Sequence, residues 1–297
     1  MQPVAFFCKT FRDDFDRLAR MLETFRACNA DGIPMALSLP EEDVDLYRAR
    51  FAGLRLPVFL DHELTGFHQP PGNSGWTYQQ TVKLCCDQTA MAESYFTVDS
   101  DFYFVRRFGR ADFIDADGAP FVFLSPHGHY ADGGPAFADA HRYLAGEAAR
   151  EFSPDALRAL HSGRVPDLAG DLAALRPLCR DTDLSAAFGH PPVTYYCQSG
   201  PLLRAEVLCA IRGDAPGGPG VAASRLIGLS PWEANWHSEF LFASGRPLAI
   251  RPMAVFHVAS EAGLEQVRQA GITEAQIARR YIAIAMAARH YDRMTLG

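Results

Sequence analysis

The hydrophobic pattern changes period several times along the chain. Residues 3–11 read P-V-A-F-F-C-K-T-F, a run of β-formers that predicts a first strand. Over 12–28 the apolar residues Phe15, Leu18, Met21, Leu22 and Phe25 fall at helical spacing, so an amphipathic helix follows, its apolar face turned to a sheet. Residues 33–39 predict a second strand. Residues 41–51 predict a second helix, opened by Pro40 and an acidic first turn that suits the helix dipole. Residues 57–60 form a third short strand ending in Asp61-His62-Glu63. Strand, helix, strand, helix, strand is the pattern of a nucleotide-binding half of a doubly wound sheet.

After a Gly/Pro-rich loop over 65–75, residues 75–86 predict a helix. Trp76, Gln79, Gln80, Lys83 and Asp87 share one side of it, and Tyr78, Val82 and Cys85 lie on a more apolar side. Tyr95 to Val98 are four consecutive β-formers, the composition of a strand buried on both faces. That strand delivers Asp99, Ser100 and Asp101 at its carboxyl end, where open α/β sheets bind ligands.

Beyond Arg107 the pattern predicts a hairpin with Asp117-Gly118 as its turn and 121–124 as the returning strand. His127 and His129 follow, a loop pair read mainly as polar surface. Residues 135–178 turn Ala-, Leu- and Arg-rich and are expected to be helical. A strand, a Ser199-Gly200 turn and a helix are expected over 191–211. The G-D-A-P-G-G-P-G stretch at 213–220 reads as irregular, a mobile loop. Residues 232–242 gather Trp232, Trp236, His237, Glu233 and Glu239; 251–258 predict a strand carrying His257; and 272–291 predict a long Ala-rich helix that closes the chain.

Composition narrows the classes. A 297-residue chain that is 48% hydrophobic can bury a sizeable core. A formal net charge of -7 and the lack of any Lys/Arg-rich block argue against a nucleic-acid partner. The seven cysteines include no C-x-x-C pair, which suggests reduced thiols and no zinc or thioredoxin-like motif. No basic, apolar leader opens the chain, and no run approaches the roughly 20 apolar residues of a membrane span. A soluble cytoplasmic protein is expected, with peripheral membrane contact left open.

The D-x-D at a strand end concentrates the chemistry. Two carboxylates one residue apart repel unless a cation or a proton sits between them. A hard divalent ion shared with substrate phosphates answers that repulsion. A haloacid-dehalogenase-type phosphatase would have the motif at the start of its chain and Thr or Val where Tyr103 stands. The bland alternative is a pair of surface aspartates in a turn.

The segment G-W-T-Y-Q-Q-T-V-K-L and then Y-F-T-V-D-S-D-F-Y-F-V-R resemble GT-A-type glycosyltransferases. They are most similar to an uncharacterised bacterial family with a G-W-x-x-Q-Q-x-x-K-L helix, a D-S-D strand and a later S-E-x-x-L-Y-like segment. Ser238-Glu239-Phe240-Leu241-Phe242 is similar to that last segment, with Phe242 where Tyr is usual. The resemblance runs from Val4 to about Val258 and implies an α/β, GT-A-like (Rossmann-like) central mixed sheet flanked by helices, with a helical insertion and a C-terminal helix. One domain over 1–297 is expected. Its nucleotide-sugar half spans 1–107 and its acceptor half 108–260, with an insertion over about 135–180; a helical segment covers 261–297.

The resemblance also implies a nucleotide-diphospho-sugar donor, a Mn2+ or Mg2+ ion held by Asp101, and Asp99 reaching ribose or metal. His257 is the candidate late metal ligand. Ser100, Gln79, Gln80 and Lys83 are candidates for donor contact, as are Thr10, Asp13 or Asp14 after the first strand and Asp61 after the third. Glu239 is the candidate acid/base or acceptor-binding carboxylate, and Trp232 and Trp236 are candidates for stacking on a sugar. The acceptor would be a hydroxyl of a saccharide or lipid-linked saccharide in bacterial polysaccharide or glycolipid assembly. Two alternatives stay open: a metal-dependent nucleotidyltransferase, and a catalytically silent nucleotide- or sugar-binding module.

Overall fold

The computed structural model describes residues 1–70, 75–124, 165–166, 168, 172–179, 183–190, 200–213, 217–246, 248–252, 254–258 and 260–286. In its first half the elements are β1 (Ala5–Lys9), α1 (Phe15–Cys28), β2 (Met35–Leu39), α2 (Val44–Arg50), β3 (Val58–Leu60), α3 (Asp61–Thr65), α4 (Gly75–Lys83), β4 (Ser94–Val98), β5 (Phe102–Phe104) and β6 (Phe121–Leu124). Two short turns of helix, α5 (Leu172–Leu175) and α6 (Ser185–Phe188), come next. Then follow β7 (Leu202–Arg204), α7 (Ala205–Arg212), α8 (Pro219–Ile227), α9 (Glu233–Ala243), β8 (Ala249–Pro252), β9 (Val255–Val258), α10 (Glu261–Gln269), α11 (Glu274–Ala278) and β10 (Ala283–Met286).

The central sheet has the order β3-β2-β1-β4-β7. Its first four strands are parallel and β7 closes it antiparallel, so it is a mixed sheet flanked by helices. All five residues of β1 are buried. Ala5 and Phe7 join one core with Tyr78 and Val82 of α4, Val207 of α7 and Trp236 of α9. Phe6 and Cys8 face the other core with Leu18, Leu22 and Phe25 of α1. Phe6 stands at the centre of an aromatic cluster, edge-on to Phe25 at 4.9 Å and to Phe113 at 5.3 Å, the geometry that ring quadrupoles favour. The predicted first three strands, first two helices and D-S-D strand are all present. Among the described residues no helix is long and apolar enough to cross a membrane.

Three expectations are corrected. The long helix over 272–291 does not form across its described part. That part holds the short helix α11 and then β10, the middle strand of a sheet ordered β5-β10-β9. Ala283 and Ala285 face one core while Ile284 and Met286 face another, so the run alternates with period two and tertiary packing overrides the helical propensity of alanine. The expected strand over 251–258 is two strands, β8 and β9, in different sheets. The Asp117-Gly118 turn forms as expected, with Gly118 at φ +84°, and an antiparallel bridge between Ile114 and Pro120 closes a short hairpin, after which the returning strand β6 also pairs in parallel with β8. Finally, Pro219 and Gly220 do not belong to an irregular loop but open α8, where the fixed φ of proline suits the first helical position. The expected features at His127 and His129, most of 135–178 and 191–199 lie outside the described residues.

Two residues of this frame generate predictions. A Cβ on Gly220 would lie 1.9 Å from the Thr65 carbonyl oxygen, at the contact of α8 with the end of α3. Gly220→Ala must therefore push backbone against backbone, at a cost of about 2 kcal/mol or more. Urea unfolding is expected to show that loss, and an unchanged midpoint would contradict the contact. His237 is buried on α9, and its Nε2 accepts the Arg204 N–H at 2.8 Å, fastening the helix to β7. Burial, aided by the Arg204 charge, pushes its pKa down to about 3. Below the ordinary histidine range the unfolded chain takes up a proton that the folded one refuses. Stability therefore falls as pH drops from about 6.5 towards 3, by up to about 1.4 kcal/mol per pH unit. The slope of unfolding free energy between pH 6.5 and 4.5 should be shallower in His237→Gln than in the parent; equal slopes would refute the assignment.

Candidate functional site

Parallel strands β1, β2 and β4 end at the same edge of the sheet. A cavity of 660 Å³ opens there, lined by Lys9 and Phe11 to Asp14 after β1, Pro40, Glu42 and Asp43 after β2, Asp99 to Asp101 after β4, and Gly75, Trp76 and Gln79 of α4, with Arg17 and Gln69 at its sides. The register explains the convergence: Cys8 pairs with Val98 across β1 and β4, so the residues following each strand emerge level with one another.

The D-S-D segment is tied down on both sides. Ser100 is buried, and its Oγ donates to Asp14 Oδ2 at 3.0 Å; Asp14 is in turn paired with Arg17. Lys83 Nζ lies 2.9 Å from Asp99 Oδ1, and the Gln79 amide donates to the same oxygen. The polar side of α4 therefore faces the crevice. Lys83 is itself buried and lies 3.5 Å from Glu233 Oε1 at the start of α9. Burial alone would favour the neutral amine, but the Asp99 and Glu233 carboxylates outweigh it and hold the ammonium pKa above its usual value. Gln80, with its amide oriented to satisfy both neighbours, donates to Glu233 and accepts from Trp76 Nε1 at 3.2 Å.

Asp101 is under a different pressure. Burial first, and then the charges of Asp99 and Asp14, raise its carboxyl pKa well above the ordinary range, with Lys83 and Arg17 only partly offsetting them. A carboxyl among carboxylates gains from an added cation, but Asp14, Asp99 and Asp101 do not bring three ligand oxygens within 4.8 Å of one another. Asp99 is already engaged by Lys83 and Gln79. His257 is half-buried in β9, paired through Ala285 of β10 to Phe102, the residue after Asp101. The ligating atoms of Asp99, Asp101 and His257 are nevertheless not gathered within 4.8 Å of one another.

The remaining expected residues separate into those on the cavity and those off it. Asp13 and Gln79 line it. Thr10 is buried behind it, its N–H donating to the Ser38 carbonyl at 3.0 Å. Asp61 is committed inside the fold, 3.1 Å from Lys9 Nζ and accepting from Ser38 Oγ, with burial raising its pKa. Gln80 and Lys83 stand one layer back from the wall. Glu239 does not line the cavity: its Oε2 lies 2.7 Å from His190 Nε2, with both side chains buried. Trp236 is fully buried, its Nε1 donating to the Ser230 carbonyl at 2.9 Å, whereas Trp232 meets Trp76 edge-on at the rim.

Sequence reasoning missed the role of Glu233. The available signal was its place in the first turn of a helix, where an acid is favoured, together with the need of a buried Lys83 for a second counter-charge. Lys83→Met would leave Glu233 buried without its cation and is expected to cost about 3–5 kcal/mol. Adding Glu233→Gln should return most of that loss. Urea unfolding of the two variants tests this, and a double variant no more stable than the single one would break the pairing.

No known protein-family model matches the chain, and a search of curated protein sequences finds no match. Among solved structures, the crystal structure of the apo form of mouse xyloside xylosyltransferase 1 aligns over 97% of this chain and 98% of its own, at 10% identity and a TM-score of 0.43. That likeness is too distant to carry a residue or a reaction from one chain to the other.

Proposed function

We propose that the chain is a glycosyltransferase that holds a nucleotide-diphospho-sugar in the cavity at the carboxyl ends of β1, β2 and β4. The observation that carries this reading is that Asp14, Asp99 and Asp101 all line one cavity of 660 Å³, at the sheet edge where α/β folds take nucleotides. The resemblance of the G-W-T-Y-Q-Q-T-V-K-L and D-S-D segments supports it.

In this reading Asp101 is the principal ligand of a Mn2+ or Mg2+ ion, and His257 is its candidate partner from β9. The cation, when bound, supplies positive charge to the nucleoside diphosphate that leaves as the anomeric C–O bond breaks. Arg12 and Arg17, on the same cavity, are placed to meet phosphate oxygens. Asp13 and Glu42 offer acceptors to sugar or ribose hydroxyls. Phe11 and Trp76 are 38% and 44% exposed on the wall, and give a base or a sugar ring an apolar face to lie against. Lys83 from one layer back and Gln79 from the wall itself together fix the orientation of Asp99. The acceptor is a hydroxyl of a saccharide or lipid-linked saccharide, the inference drawn from the bacterial family.

The test is thermal denaturation with UDP, GDP, CDP and ADP, each with and without Mn2+. One diphosphate is expected to raise the melting temperature in a cation-dependent way, since a ligand at 100 times its Kd adds about 2.7 kcal/mol to the native state. Asp101→Asn should remove the cation-dependent part of that rise while leaving the unliganded melting temperature close to the parent's. Slow, Mn2+-dependent hydrolysis of the matching nucleotide-sugar separates an enzyme from a silent binder. No shift with any of the four would overturn the reading.

A further inference from the structure

A second cluster of chemistry lies beside the donor cavity, and the sheet builds it by the same register logic. Leu39 of β2 pairs with Leu60 of β3, so Glu41 and His62, each two residues past its paired leucine, leave the sheet side by side. The chain then turns back on itself after α3. Gly66 ends that helix at φ +78°, a conformation that costs glycine little, and His68 returns to stack on His62 with ring centroids 4.3 Å apart and planes 28° from parallel. One oxygen of Glu41 and one ring nitrogen from each histidine fall within 4.8 Å of one another, the only such group of three among the described residues. They face a small cavity of 140 Å³, whose wall also carries Glu42 and Asp61.

We propose that Glu41, His62 and His68 bind a transition-metal ion of the zinc type, at a site separate from the D-S-D segment. Two imidazoles and one carboxylate make a borderline donor set that suits Zn2+ and leaves a fourth position for water; Mg2+ prefers oxygen ligands alone. The present spacing is slightly too wide for direct bonding between the side chains and slightly too wide for a bound metal. His62 Nδ1 lies 3.9 Å from Glu41 Oε2, beyond hydrogen-bond reach. Ligand atoms about 2.0–2.1 Å from a tetrahedral ion stand about 3.3 Å apart, so closing by roughly half an ångström to an ångström and a half completes the site. Partial exposure of all three side chains allows that movement. The neighbouring carboxylate of Glu42 lowers the cost of gathering positive charge here.

The position gives the ion a consequence. His68 is followed by Gln69, which lines both this cavity and the larger one. A metal that pins His68 against the ends of β2 and β3 therefore also fixes one side of the larger cavity. The metal site itself does not depend on what the larger cavity binds.

The experiment uses the untagged full chain carrying Asp101→Asn, stripped of metal with a chelator, so that the D-S-D segment does not compete. Zn2+ is titrated in competition with a chromophoric chelator, and Co2+ is added separately to read the visible bands of a four-coordinate nitrogen and oxygen site. One equivalent per chain is expected, with tetrahedral Co2+ absorption. His62→Gln and His68→Gln should each weaken Zn2+ by about 100-fold or more, with circular dichroism unchanged, because both side chains lie at the surface. The exposed neighbour variant Glu63→Gln should bind as the parent does. Absence of Zn2+ binding at micromolar concentrations overturns the proposal. So does binding that survives in the His62→Gln/His68→Gln double variant.

Discussion

A buried lysine ammonium is tolerable only if carboxylates meet it, and Lys83 is met by two. Asp99 comes from the end of β4 and Glu233 from the start of α9, so a single side chain on α4 fixes the relation of three elements distant in sequence. The constraint is severe because each partner is itself costly when alone. Glu233 is fully buried, and burial raises its pKa even with Lys83 beside it. What the triad fixes is the orientation of Asp99 at the mouth of the cavity, and with it the backbone that presents Ser100 and Asp101. The placement of Asp99 at a strand end is thus borrowed from a charge balance one layer deeper.

Much of this was legible in the sequence, and the reasons are particular. The first half of the fold is written in period: five apolar positions of α1 at helical spacing, and four consecutive β-formers before Asp99. The expectation that the polar side of α4 faces the crevice rested on its place just before the D-S-D strand; Gln79 does line the cavity, whereas Lys83 is buried one layer behind it and reaches Asp99. Asp101 was legible as a strand-end acid beside Asp99, and it lines the cavity at the carboxyl edge of the sheet.

The parts that were not legible share a cause. The β10 segment A-I-A-M is half alanine and offers only four residues of alternation, and what decided it was the pair of cores waiting on its two faces. Local propensity carries no knowledge of those cores. Glu239 and Glu233 sit on one helix and differ by six residues; nothing in the chain says which turns to Lys83 and which to His190. Asp61 resembled a pocket residue because it ends a strand, yet the buried Lys9 claims it first. Charge pairs across the fold are long-range facts, and a single sequence holds only one partner at a time in view.

One principle of the architecture nevertheless spans both the legible and the hidden parts. In a parallel sheet the strands stop together, so residues just past their ends are forced into proximity whatever their separation in the chain. Cys8 pairing with Val98 brings the segment 10–14 against 99–101. Leu39 pairing with Leu60 brings Glu41 against His62. The backbone hydrogen bonds of the sheet thus meet the entropic cost of gathering acids and imidazoles, groups that would otherwise repel or remain in water. Clusters so assembled keep an unfavourable local charge or an unfilled geometry, and a cation is the simplest species that relieves either. The same edge of this sheet thus carries two clusters, one of carboxylates lining the larger cavity and one that sets two imidazoles beside a carboxylate.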